Sequence, residues 1–309
     1  MHTVITKDPA EAASFIKRGG SVVFPTETVY GIGACAEDHS ACQALYQIKG
    51  RPQDNPLIIH LAESSAIFEH AYVPKKYEDF IQHFSPGAIT YILKKKNQQL
   101  FSTGLPSIGL RVPTANFTRN FLHAAALPVA APSANLSGKP SITKSYYAKL
   151  EFSGRVDCIL TGPDAEIGLE STIIDLTCEP AVILRPGGIA LTDIQKFIPG
   201  ASLLATPVGT TPKSPGLKYK HYAPHCKVSL VAELPEAKDK KIGRIGFHFT
   251  GSSSIDRKLQ SNIQYMKELY SFFLDCDSLG IEEAFCEMPI RDKWFDSLMN
   301  RLRKAASLD

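Results

Sequence analysis

Short apolar blocks alternate with stretches of helical spacing through the first 200 residues. Blocks at 21–24, 56–61, 89–93, 108–112, 129–131, 171–176 and 181–184 are short and almost continuously apolar, and predict buried strands. Asp8-Pro9 predicts an N-cap with Pro in the first turn, opening a helix that Gly19-Gly20 closes. Ala41, Leu45 and Ile48 recur at helical spacing and deliver Lys49 at the end of their helix. The alternation predicts a large mixed α/β domain over 1–200. Over 201–226 the apolar period is lost in sequence dense in Pro, Gly and Thr, which reads as a linker, either a tether or an ordered lid. The pattern returns over 227–309, with strands expected at 227–231 and 242–249 and helices at 263–273 and 293–306. In the last helix Trp294, Leu298 and Leu302 make a packing stripe, and Arg301, Arg303 and Lys304 are expected off it on a solvated face.

Bulk composition narrows the class. A chain of 309 residues suits two domains, and 44% hydrophobic with 21% charged residues describes an ordinary globular protein. A net charge of +3 is too weak to announce nucleic-acid binding by electrostatics alone. The seven cysteines are scattered, without a C-x-x-C pair, which argues against a disulfide framework or zinc knuckle and for a reducing compartment. The start carries no apolar run of signal length, and no stretch approaches the roughly 20 apolar residues of a membrane span. These features together predict a cytoplasmic protein with no membrane partner.

Candidate chemistry concentrates in turns that leave the predicted strands. The stretch from Pro25 to His60 places Thr28, Lys49, Arg51, Asn55 and His60 in one strand–turn–helix–strand unit. Lys49 and Arg51 are boxed in by Gly50 and Pro52, and cations on a stiff turn suit phosphates because their geometry is already ordered. Arg111 sits in the apolar segment SIGLRVP, where a guanidinium must be paired, either by an internal Asp or Glu or by the carboxylate of a ligand. APSANLSGKPSIT offers Ser133, Asn135, Ser137 and Ser141, whose hydroxyls and amide suit a phosphate or ribose pocket or simple turns. GLESTIIDL places Glu170, Ser171 and Thr172 before a strand, and LRPGG puts Arg185 at a strand exit. No Walker loop, G-x-G-x-x-G, metal cluster or nucleophile–base pair accompanies them. The inventory favours binding a nucleotide and a small carboxylate over covalent hydrolysis.

PTETVYGIG, KGRPQDNPLIIH, SPGAITYIL, LRVP, APSANLSGKPS, ESTIID and ILRPGG, in that order, resemble the YrdC/Sua5 family over about residues 3–200. Lys49-x-Arg51 with Ser133-x-Asn135 reproduces the family's KxR…SxN signature. SPGLKYKHYAP at 214–224 followed by a small α/β unit looks like the two-domain Sua5 type. The resemblance implies a YrdC-like twisted mixed sheet with a large concave cavity, plus a smaller Rossmann-like C-terminal domain. It also implies L-threonylcarbamoyladenylate synthase activity: L-threonine, bicarbonate and ATP would give threonylcarbamoyl-AMP and pyrophosphate, for the t6A37 modification of tRNA. Carried over by position, Thr28, His60, Arg111, Ala131 and Ser171 would hold threonine. Arg51, Asn55, Ser107, Ser133, Asn135, Ser141, Arg185 and Tyr222 would hold ATP, with Lys49 and Arg51 acting on the phosphates. Mg2+ would arrive on those phosphates rather than on protein side chains, and no organic cofactor is implied. The downstream tRNA threonylcarbamoyl-transferase machinery is the implied partner, and a weak tRNA contact is left open. The alternative is a double-stranded RNA or tRNA-binding module without catalysis.

Overall fold

A computed structural model describes residues 2–204, 222–236, 241–249 and 255–307. Most of the Pro/Gly-rich segment expected as a linker, including 205–221, lies outside the described residues. Among them no helix is long and apolar enough to cross a membrane.

The predicted alternation yields a large twisted mixed sheet of twelve strands. Its path runs from Val4–Thr6 through Cys158–Leu160, Val22–Phe24, Gly31–Cys35, Val129–Ala131, Ile58–His60 and Ser107–Arg111. It continues through Ile89–Lys95, Thr172–Asp175 and Val182–Arg185 to Ser202–Leu203, while Ala71–Tyr72 pairs beside Ile89–Lys95. The seven strands read from apolar blocks are all present. The strand Gly31–Cys35 had no counterpart in the apolar pattern, because GIGAC is built of small residues with weak strand preference. The helix Pro9–Lys17 is capped by the Asp8 carboxylate, which accepts the Ala10 N–H, with Pro9 in its first turn.

The register decides what faces the site. Side chains on neighbouring strands share a face at paired positions, and that face alternates along each strand. His60 pairs with both Arg111 and Val129, and Ile58 pairs with Gly109 and Ala131. One sheet face therefore carries Ile59, Leu110, Ala130 and Tyr91 into the main core, which is buried throughout. The opposite face carries His60 and Arg111 above a floor of Gly109 and Ala131. Small residues keep that floor low and leave room for a cleft.

The second unit has an all-parallel sheet in the order Lys227–Val231, Glu283–Glu287, Ile242–Gly246, Arg257–Lys258. Its strand Ile242–Gly246 is shorter than expected, and its first long helix, Asn262–Ser278, extends beyond the expected 263–273 at both ends. The Ser261 hydroxyl caps that helix by accepting the Gln264 N–H. Both units meet at named contacts. Gly168 lies so close to Met266 and Lys267 that a Cβ would fall 2.4 Å from the Met266 carbonyl oxygen. The Ser297 hydroxyl donates to the Gly187 carbonyl at 2.9 Å, and the Tyr147 hydroxyl donates to Asp275.

Candidate active site

The helix His39–Lys49 ends in Gly50 at φ +59°, the left-handed conformation that glycine adopts at little cost, and this turns the chain so that Lys49 and Arg51 both point inward. Both are buried. The Lys49 ammonium donates to the carbonyls of Ser133 and Asn135, while the Ser137 N–H donates to the Lys49 carbonyl at 2.9 Å. The two halves of the KxR…SxN pattern are thus stapled together, leaving one Lys49 N–H beyond these two bonds. Arg51 donates from Nε to the Asn55 carbonyl and from Nη2 to the Pro56 carbonyl, both at 3.1 Å, fixing the 51–56 turn. Burial and then the neighbouring Arg51 push the Lys49 amine well below its ordinary value, and burial lowers Arg51 to about 10. Two fixed basic groups in such a buried setting meet an anion without first shedding much water, and an anion placed beside them favours the charged form of Lys49.

The opposite wall is built by the strand ends. Arg185 donates to the Ser171 carbonyl from Nε (3.2 Å) and Nη2 (2.9 Å), and Ser171 shares a 2.8 Å hydroxyl contact with Thr90. Arg111 forms a buried ion pair with Glu27, Nη2 to Oε1 at 2.7 Å. Of the two partners the sequence left open for Arg111, the internal acid is thus present. One Glu27 oxygen, Oε2, is buried and has no hydrogen-bond partner among the described residues. His60 is buried edge-on against Phe24, and its Nδ1 lies 3.2 Å from the Ile58 carbonyl. Burial and the Arg111 charge lower its pKa to about 3, so the imidazole is neutral.

Lys49, Arg51, His60, Arg111, Ala131, Ser133, Asn135, Ser171, Arg185 and Tyr222 line one cavity. Thr28, Asn55, Ser107 and Ser141 are buried but stand outside its lining. The Thr28 hydroxyl contacts Thr26, which does line the cavity. Ser141 lies behind the wall and donates to Glu170 at 2.6 Å. The Asn55 amide is buried, and among the described residues neither its nitrogen nor its oxygen has a hydrogen-bond partner. Ser107 begins the strand that Arg111 ends, about 13 Å away at the rise of an extended chain.

Sequence reasoning missed one part of the site wholly. Arg301, expected on a solvated face, is fully buried: Nε and Nη2 both lie 3.0 Å from Glu170 Oε2. The signal was available, because 294, 298, 301, 302 and 305 follow the i, i+4, i+7 spacing of one helical face. The charge type concealed it. Glu27 and Tyr270 were also not singled out, and Tyr270 donates to Glu170 Oε2 at 3.0 Å.

A mixed α/β sheet with a cleft of fixed cations, a neutral imidazole and hydroxyl-rich loops defines a protein built to hold an anionic nucleotide beside a small carboxylate. Residues 14–187 match the Sua5/YciO/YrdC family, described as "Telomere recombination", and 189–307 match "Threonylcarbamoyl-AMP synthase, C-terminal domain". The chain is 37% identical to the threonylcarbamoyl-AMP synthase of Pyrococcus abyssi, across 96% of this chain and 93% of that one. It is 39% identical to the Bacillus subtilis enzyme of the same name, across 75% of this chain and 69% of that one. The crystal structure of P. abyssi Sua5 complexed with L-threonine superposes with a TM-score of 0.88 at 35% identity, covering 99% of this chain and 97% of that one. The chain belongs to the Sua5/YrdC family and has the two-unit architecture of its Sua5 members.

Proposed function

We propose that this chain is an L-threonylcarbamoyladenylate synthase, converting L-threonine, bicarbonate and ATP into threonylcarbamoyl-AMP and pyrophosphate. The observation that carries the reading is the cavity in which Lys49, Arg51 and Arg185 lie with His60, Arg111 and Ser171, together with the near full-length likeness to enzymes of this name. In this reading Thr28, His60, Arg111, Ala131 and Ser171 hold threonine, and Arg111 takes its carboxylate while keeping Glu27. Arg51, Asn55, Ser107, Ser133, Asn135, Ser141, Arg185 and Tyr222 serve ATP, which enters as its Mg2+ complex. The neutral His60 cannot repel the threonine ammonium, which a second cation beside Arg111 would do.

The threonine ammonium gives up a proton to solvent, the free amine attacks bicarbonate with loss of water to form a carbamate, and a carbamate oxygen attacks the α-phosphorus as pyrophosphate leaves. The protein need not supply a nucleophile. Its contribution is to hold the carbamate and phosphate together, worth ~7–11 kcal/mol of barrier in favourable cases, and to oppose charge on the leaving group with Lys49, Arg51 and Arg185. Tyr222 is buried against the cavity and stacks on Tyr270, which supports a shielding role for this residue. The proposed organisation is a catalytic domain over 1–200, a linker over 201–226 and a C-terminal domain over 227–309. The protein works in the cytoplasm and hands its product to the tRNA threonylcarbamoyl-transferase machinery.

The test is pyrophosphate release with ATP, Mg2+, L-threonine and bicarbonate, each omitted in turn, with the adenylate sought by mass spectrometry. Release that requires both threonine and bicarbonate, with threonylcarbamoyl-AMP present, establishes the activity. No turnover, with salt-steep tRNA binding independent of ATP, would replace it by the RNA-binding reading.

A further inference from the structure

We propose that Arg301, on the last helix of the C-terminal unit, is a positioning residue for ATP: it neutralises Glu170 in the wall of the nucleotide cavity, so that the catalytic unit binds phosphates well only with the C-terminal unit docked. The inference rests on the synthase reading above and gives the C-terminal unit a part in it.

Glu170 lines the cavity among the cations proposed to hold phosphates. A carboxylate there opposes ATP unless its charge is balanced. Oε1 accepts the Ser141 hydroxyl at 2.6 Å, while Oε2 accepts Tyr270 and Arg301, each at 3.0 Å. Both of the latter come from the C-terminal unit, on the helices Asn262–Ser278 and Phe295–Ala305. The groups facing Glu170 are therefore Arg301, Tyr270, Arg185 on the strand Val182–Arg185, Ser141, and Tyr222. Burial pushes the Glu170 carboxyl up, but Arg301 and then Arg185, helped by Ser141, outweigh it and hold it below the ordinary carboxylate value.

Arg301 is tied in place as firmly as the charge it balances. Its Nη1 donates to the Pro186 carbonyl and to Asn300, and its guanidinium lies 5.5 Å from the centre of the Tyr222 ring. Tyr222 in turn stacks on Tyr270 at 5.5 Å. One arginine therefore touches the acid in the wall, the turn after Arg185 and the proposed shield. Glu170 also fixes Ser141 behind the wall, where the serine hydroxyl donates to the carboxylate.

Removing the Arg301 charge should leave Glu170 with Arg185 alone, competing with the phosphates for it. In the full-length protein, Arg301→Gln should raise the ATP KM about tenfold near pH 8, equivalent to about 1.4 kcal/mol, and change the threonine KM less than about threefold. Without Arg301, burial favours the protonated acid, so the ATP KM of that variant should recover as pH is lowered, while the wild type shows less recovery. Adding Glu170→Gln should return the ATP KM to within about threefold of wild type, because the charge to be balanced is gone. Arg301→Lys, which keeps the charge, should fall between wild type and Arg301→Gln and serves if the glutamine variant fails to fold. A merely structural role predicts equal losses for both substrates, no pH recovery and no rescue by Glu170→Gln; that pattern would overturn the proposal. Wild-type protein without threonine-dependent pyrophosphate release would sink the synthase reading instead, so the two failures are separable.

Discussion

At the scale of single residues, the site works by burying charge in pairs. Arg111 and Glu27 are both almost wholly enclosed, so removing one strands the other. Arg111→Ala should cost on the order of 3–5 kcal/mol of stability in denaturant unfolding, and Glu27→Gln in that background should recover part of it. In turnover the same variant should raise the threonine KM strongly and the ATP KM little; equal effects on both would remove Arg111 from the carboxylate. His60 sets a different expectation. Its folded pKa, near 3, lies below the ordinary histidine value, so the unfolded chain binds the extra proton between about pH 6.5 and 3. The stabilising contribution of the neutral ring is complete above pH 6.5 and is lost as pH falls through that window. His60→Gln should flatten the fall in unfolding free energy by up to about one proton, ~1.4 kcal/mol per pH unit. An unchanged slope would show that the ring takes up its proton without unfolding.

At the scale of elements, short turns place the chemistry more than long helices do. Gly50 ends its helix in the left-handed region, and this lets the Lys49 ammonium reach the 133–135 loop while Arg51 folds back on its own turn. The sequence showed the stiff turn. It could not show that Lys49 spends two donors on carbonyls, because that bond spans 84 residues of chain. Tyr222 makes the opposite case. It holds φ at +71°, uncommon for a bulky residue, while stacked on Tyr270, and the Ala223 N–H donates to the Gly138 carbonyl at 3.1 Å. If this ring shields a carbamate and a mixed anhydride from water, Tyr222→Ala should lower threonylcarbamoyl-AMP recovered per pyrophosphate released. An unchanged ratio with slower turnover would leave Tyr222 a nucleotide contact and no shield.

At the scale of the whole molecule, the two units meet backbone to backbone. Gly168 has φ +82° and meets the backbone of Met266 and Lys267, where a Cβ would come within 2.5 Å of both. These are backbone atoms of a helix and cannot yield singly. Gly168→Ala should therefore cost more than about 2 kcal/mol in unfolding and should also raise the ATP KM, because it displaces the helix whose Tyr270 donates to Glu170. A neutral result would show the two units to be independently placed.

Local pattern in the sequence was enough for the strands of the cleft other than Gly31–Cys35, the Asp8-capped helix, the stiff turn at Lys49–Arg51 and the family, because each depends on residues near one another in the chain. Periodicity also put 301 on the packed face, but a charged residue there was read as solvated. Which carboxylate Arg111 takes, which donors Lys49 has left and which charge Arg301 balances depend on residues 84 to 131 positions apart. Such pairings are fixed by strand register and by the docking of the second unit. Only the tertiary structure could decide them, because burying a charge is tolerable where its partner arrives from elsewhere in the fold.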